Sequence, residues 1–187
     1  MSRERCLAEL KQEQAAKKGD LRMIALKIED LKTFTAQLFM GETFDYWLVR
    51  EANIVTFNSF TIDGRIRQGY YSDEELETNR IEELSSWKTL RPFCYSLIRG
   101  KKLPESFQIT LQLSPEENEK FIRRVKPDLS ADQVAALYLN IRYENHAAAC
   151  VTGTSLKIFM LDKQIEQEWD ETVRRYFKKL QISYVEV

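Results

Sequence analysis

The sequence predicts an α+β fold: a mainly antiparallel sheet of about five to six strands, helices on one face, and a long amphipathic C-terminal helix. Three observations predict it. Phe107, Ile109, Leu111 and Leu113 alternate with Gln108, Thr110 and Gln112, the period of two of a strand with one buried and one wet face. Strands of parallel sheets are usually buried on both faces, so a one-sided strand argues for an antiparallel sheet backed by helices. Ser114-Pro115 with Glu117 then reads as a helix N-cap, a proline in the first turn and a capping-box partner. Finally, Ile165, Trp169, Val173, Tyr176, Phe177 and Leu180 recur at helical spacing.

Residues 1–22 are rich in Glu, Gln, Lys, Arg and Ala and lack any aromatic side chain, which predicts a polar helix or arm. The apolar pattern starts at Met23, so residues 23–187 are expected to form a single α+β domain. From Ile24 to Met40, Leu26, Leu31, Phe34, Leu38 and Phe39 fit an amphipathic helix ended by Gly41. Tyr46–Val49, Ile54–Ile62 and Arg65–Tyr71 read as strands, with Glu51–Asn53 turning between the first two. Asp63-Gly64 between the last two is a two-residue hairpin signal, pairing Phe60 with Arg67 and Phe57 with Tyr70.

Ser72-Asp73-Glu74-Glu75 opens a short acidic helix. Ser86 to Arg99 reads as another helix, interrupted or kinked at Pro92. The strand at 106–113 and a helix to about Val125 follow, and Ser130 is placed to cap one more turn. Leu137–Tyr143 alternates again, Glu144–His146 turns, and Ala147–Thr152 returns as a strand. After a bend at Gly153, Leu156–Leu161 continues it. The alanines at 147–149 leave room for close packing over that strand, and Asp162 is placed to cap the last helix. Trp47, Trp87 and Trp169 are expected to fill the core.

Several strings are distinctive in combination: Gly41–Asp45, Thr56–Gly64, Leu90–Phe93, Asn140–Tyr143 and Thr152–Phe159. By these the chain, from about Met23 to its C-terminus, resembles a domain-of-unknown-function family of clostridial and related bacteria. The resemblance implies a bacterial cytosolic setting and assigns no chemistry.

Composition narrows the function classes. The 187 residues carry 28 basic and 29 acidic side chains, net −1, where a general nucleic-acid or membrane-surface binder would show a basic excess. No apolar run approaches the roughly eighteen residues of a membrane span, and the charged start does not read as a signal peptide. Cys6, Cys94 and Cys150 are scattered, odd in number and without CxxC spacing. They read as reduced thiols of a cytoplasmic protein. With His146 as the single histidine, neither a zinc site nor any other metal or cofactor is expected.

No phosphate loop, dinucleotide fingerprint, nucleophile elbow or zincin motif is present. A catalytic triad or dyad would have to use His146, which falls in a predicted turn, with Cys150 four residues on; no catalytic residue is assigned. Thr152, Gly153, Thr154, Ser155 and Lys157 form the candidate small-molecule site, their hydroxyls, glycine and ammonium suiting an anion. Arg65, Arg67 and Arg142 are the candidate basic face, with Tyr70, Tyr71 and Tyr138 interleaved, suiting an acidic partner or a phosphate backbone. Asp45, Glu51 and Asp63 could pair for acid–base chemistry only if the fold brings them together.

The leading expectation is a non-enzymatic domain that binds a protein partner or a second copy of itself. The alternative is a binding protein or enzyme for a small anion at 152–157. A second alternative is nucleic-acid binding through the arginine-bearing sheet face.

Overall fold

A computed structural model describes residues 23–78, 81–157 and 162–187. The predicted arm at 1–22, with Cys6, and most of the predicted strand 156–161 lie outside the described residues. The chain runs β1 (Ala25–Ile28), α1 (Leu31–Phe39), β2 (Leu48–Val55), β3 (Ser59–Asp63), α2 (Asp73–Thr78) and α3 (Trp87–Ile98). It continues with β4 (Ser106–Gln112), α4 (Pro115–Val125), β5 (Val134–Glu144), β6 (Ala147–Leu156), α5 (Gln164–Lys179) and β7 (Tyr184–Glu186). The fold is α+β. Its sheet has seven strands, one or two more than expected, in the order β3-β2-β4-β5-β6-β1-β7, every neighbour antiparallel.

One face of this sheet is packed and the other is open. Phe107, Ile109 and Leu111 of β4 join Leu139 and Ile141 of β5 and Cys150 of β6 in the core. Phe34 and Leu38 of α1, Trp87 of α3, Ile122 of α4 and Trp169 and Phe177 of α5 close over them. The pattern read from β4 is realised residue by residue: Gln108 is exposed, Thr110 and Gln112 half-buried. Ser114 caps α4 by accepting a hydrogen bond from Glu117 N–H at 3.3 Å. Trp87 and Trp169 are buried to within 1% and Trp47 to 7%, and the indole N–H groups of the first two donate to the carbonyls of Leu38 and Tyr138.

Four local readings are corrected by the fold. The helix expected from Ile24 starts only at Leu31, where Asp30 accepts from Thr33 N–H; Ala25–Ile28 is a strand lying between β6 and β7. Leu26 and Ile28 are both buried with Lys27 exposed between them, the alternation of a strand, and pairing on two sides holds the extended form. Second, Glu51–Asn53 does not turn: β2 runs through it, and the hairpin bends at Thr56–Asn58, with Ile54 opposite Phe60. Third, Asp63-Gly64 ends β3 instead of turning it, and Arg65 meets Leu84 in an isolated bridge. A Cβ on Gly64 would lie 1.7 Å from the Val49 carbonyl oxygen, so the glycine serves close approach and not positive φ.

Fourth, residues 152–155 are not a bend. They sit inside β6, paired with Leu139, Tyr138, Leu137 and Ala136. Pro92 lies within α3 without dividing it. Asp162 does bind the start of α5, its Oδ1 accepting from Gln164 N–H at 2.9 Å.

Candidate functional site

The residues proposed from sequence are dispersed. Thr152 is buried on the helix-covered face, its hydroxyl donating to Asp170 Oδ1, while Gly153 faces the open side beneath Tyr138. Thr154 and Ser155 are half-buried strand residues, and Lys157 is exposed beyond the strand end. The chain therefore does not bring them together as a cradle. Arg142 stands on the open face and is paired with Glu144 at 2.8 Å. Arg65 and Arg67 leave β3 at the sheet's far edge, three strand positions away, so the three guanidiniums do not share one patch.

Asp45 is held by Arg91, with Nε to Oδ1 at 3.1 Å and Nη2 to Oδ2 at 3.2 Å. Glu51 and Asp63 face each other across β2 and β3, without Asp45. Burial pushes the Cys94 thiol up to about 12 and the Cys150 thiol higher still, which disfavours thiolate chemistry at both. His146 sits in the turn before β6 and is exposed, whereas Cys150 lies inside β6 and is enclosed in the core. Among the described residues no group of three or more His, Cys, Asp or Glu side chains is placed to hold a metal ion. Among them, too, no helix is long and apolar enough to cross a membrane.

What the fold does assemble is a groove at the end of the sheet where β4 begins and the β5–β6 hairpin turns. Its volume is 630 Å³, and its lining is mostly apolar. α1 contributes Leu31, Thr35, Ala36 and Phe39, one stripe along the helix, and Met40 follows at its C-cap. Tyr95 and Ile98 at the end of α3 form the facing wall, and Leu103 and Pro104 of the following loop close one side. The floor is aromatic. Phe107 stacks on Tyr143 with centroids 5.0 Å apart, and Phe39 meets Phe107 edge-on at 5.3 Å.

Met40 and Leu103 are 58% and 71% exposed, large apolar side chains left in water beside this floor. Three basic residues line the same groove: Lys32, Arg99 and His146. No Asp or Glu lines it, and among the described residues neither Lys32 nor Arg99 takes part in a salt bridge. His146 is set by the hairpin turn, where Asn145 and His146 both have positive φ, 52° and 60°. Positive φ is uncommon outside glycine, though Asn and His tolerate it better than most. Tyr143 Oη lies 3.5 Å from His146 Nδ1, which ties the imidazole to the groove floor.

Sequence reading weighs His146 only as a turn residue that a catalytic dyad would need and places Leu31, Phe39 and Phe107 on apolar faces, without proposing any of them as part of a groove. The signals were the stripe at Leu31, Thr35, Ala36 and Phe39, and a lone Leu103 between Lys101-Lys102 and Pro104. Neither names a site until five separate segments meet.

No curated protein and no solved structure matches the chain. Its own pattern is nonetheless assignable: the chain belongs to a family of unknown function, DUF5721, whose model matches residues 37–185, a shorter span than the resemblance from Met23 implied.

Proposed function

We propose that the protein is a binding domain, not an enzyme, and that it takes an apolar small molecule in the groove between α1, the end of α3 and the β5–β6 hairpin. The observation that carries this is the groove itself: 630 Å³, walled by aliphatic side chains and floored by the Phe39–Phe107–Tyr143 cluster. Small-molecule sites are typically concave, mostly apolar and about 300–1,000 Å³. Buried, protonated thiols and carboxylates occupied in structural pairs argue against a catalytic role for those groups.

The test is fluorescence of the neutral dye Nile red with the full chain and with Ala36→Phe, which fills the groove from a half-buried helix position. Saturable enhancement by the wild type, lost in Ala36→Phe while the melting temperature holds, supports the reading. Absence of enhancement, or equal enhancement in both, defeats it.

A second reading rests on the open sheet face. Ala147, Ala149 and Val151 of β6 and Ala25 of β1 make a strip of small side chains, with Gly153 at its end. Such a strip lets another backbone approach closely, and a two-fold axis would set it against the same strip of a second copy. A light-scattering mass of one chain at high concentration would count against that reading.

A further inference from the structure

We infer that the ligand of this groove is an amphipathic anion, a free medium-chain carboxylate whose hydrocarbon lies on the aromatic floor and whose headgroup meets Lys32, Arg99 or His146. The inference rests on the groove being the binding site and adds the class of ligand. Its warrant is a charge asymmetry. A chain with 28 basic and 29 acidic residues offers no general surplus of cations. Yet the groove is lined by three basic residues and by no Asp or Glu. Acidic side chains exist close by in sequence, Asp30 beside α1, Glu105 before β4 and Glu144 at the hairpin, and none of them lines it.

The cations are also available. Some basic side chains on the surface are paired, Lys120 with Glu116 and Glu117, Arg123 with Glu119, Arg174 with Glu171 and Glu186, while others, such as Lys88 and Lys157, take part in no salt bridge among the described residues. Lys32 and Arg99 form no salt bridge among the described residues and both are exposed, although the Lys32 charge is felt by Asp30 two residues before it. Each comes from a different element from the hairpin that holds His146, so an anion can be met from more than one side of an apolar trough. Hydrogen bonds to a charged acceptor are stronger than neutral ones. A carboxylate at the rim of such a trough keeps part of its hydration while its hydrocarbon chain is withdrawn from water.

The experiment is calorimetric titration of the full chain with decanoate and with decan-1-ol, both below their aggregation limits. Decanoate should bind one-to-one at least about tenfold more tightly than decan-1-ol, a difference of about 1.4 kcal/mol. The double variant Lys32→Gln/Arg99→Gln should lose most of that preference while binding decan-1-ol as the wild type does. Ala36→Phe should lose both. Equal binding of the two probes by the wild type overturns the anion inference and leaves the groove reading standing. Binding of neither overturns both. Attachment of the wild type to anionic phospholipid vesicles, unaffected by decanoate, would make the basic rim a membrane contact and overturn the inference as well.

Discussion

The Thr152 hydroxyl donates to Oδ1 of Asp170 across 2.5 Å, where the middle of β6 meets α5 beneath the sheet. Both residues are buried, Thr152 to 1% and Asp170 to 6% exposure. Ile24 N–H donates to the same Thr152 oxygen at 3.1 Å, so one small polar cluster fastens the start of β1, β6 and the helix. Burial lifts the Asp170 carboxyl above its ordinary 3.8, against the opposing pull of the Thr152 hydrogen bond and of Arg174.

A pH dependence follows with a definite sign. A carboxyl whose pKa is raised by folding contributes stability that is fully present below the ordinary value and is lost as pH rises through the raised one. Asp170→Asn removes this titration and keeps the shape. The melting temperature of Asp170→Asn minus that of the wild type should therefore climb from pH 3 upward and then level off. A difference that stays flat between pH 3 and pH 8 would show that Asp170 titrates alike in the folded and unfolded chain.

Gly64 gives a steric prediction. Its N–H donates to the Arg50 carbonyl, its own carbonyl accepts from Ser85 N–H at 2.8 Å, and a Cβ there would overlap the Val49 carbonyl. Gly64→Ala should cost about 2–4 kcal/mol, in the upper tail of single substitutions. In urea unfolding this would appear as a lower midpoint with an unchanged slope. Gly69→Ala is the control, since no atom lies within 4 Å of the added Cβ. It should stay within about 0.5 kcal/mol of wild type. Equal costs at the two glycines would contradict the close approach at Gly64.

The same glycine shows where sequence reading stops. Asp63-Gly64 has hairpin chemistry, but the chain uses the glycine for backbone approach and turns at Thr56–Asn58 instead. Patterns complete within one element were legible: the alternation of β4, the cap at Ser114, the stripe of α5. β1 was not, because a four-residue strand has too little periodicity to outvote the helix that follows, and it is held by β6 and β7 from the far end of the chain. The groove failed for a related reason. Ala36, Ile98, Leu103, Phe107 and His146 belong to five segments, and only the packing of α1 and α3 on the sheet makes them neighbours.

The dispersed arginines give a prediction of no change. Arg65 and Arg67 lie beyond β3 and Arg142 is committed to Glu144 on β5. Phosphate-backbone binding needs several cations tracking one path, and each contact steepens the salt dependence. Arg65→Glu/Arg67→Glu should elute from heparin at the same salt as the wild type. A marked fall in eluting salt would show that these side chains act together in solution.

Tyr176 joins two parts of the core through its hydroxyl. It donates to the Thr43 carbonyl at 2.5 Å and accepts from the Trp47 indole N–H at 3.3 Å, while its ring lies 5.9 Å from Trp47 and 6.0 Å from Phe44. Burial holds the phenol above its ordinary pKa, so it stays protonated and able to donate. Tyr176→Phe keeps the ring contacts and strands one donor and one acceptor. The loss should be about 1–2 kcal/mol, the range for leaving partly buried polar groups unpaired. Tyr176→Leu also gives up the edge-to-face packing and should cost more. Because Trp47 loses its hydrogen-bond partner in both, its emission should shift in both. If Tyr176→Phe changed neither stability nor emission, water would already be satisfying Thr43 and Trp47, and the hydroxyl would not be what ties α5 to the segment leading into β2.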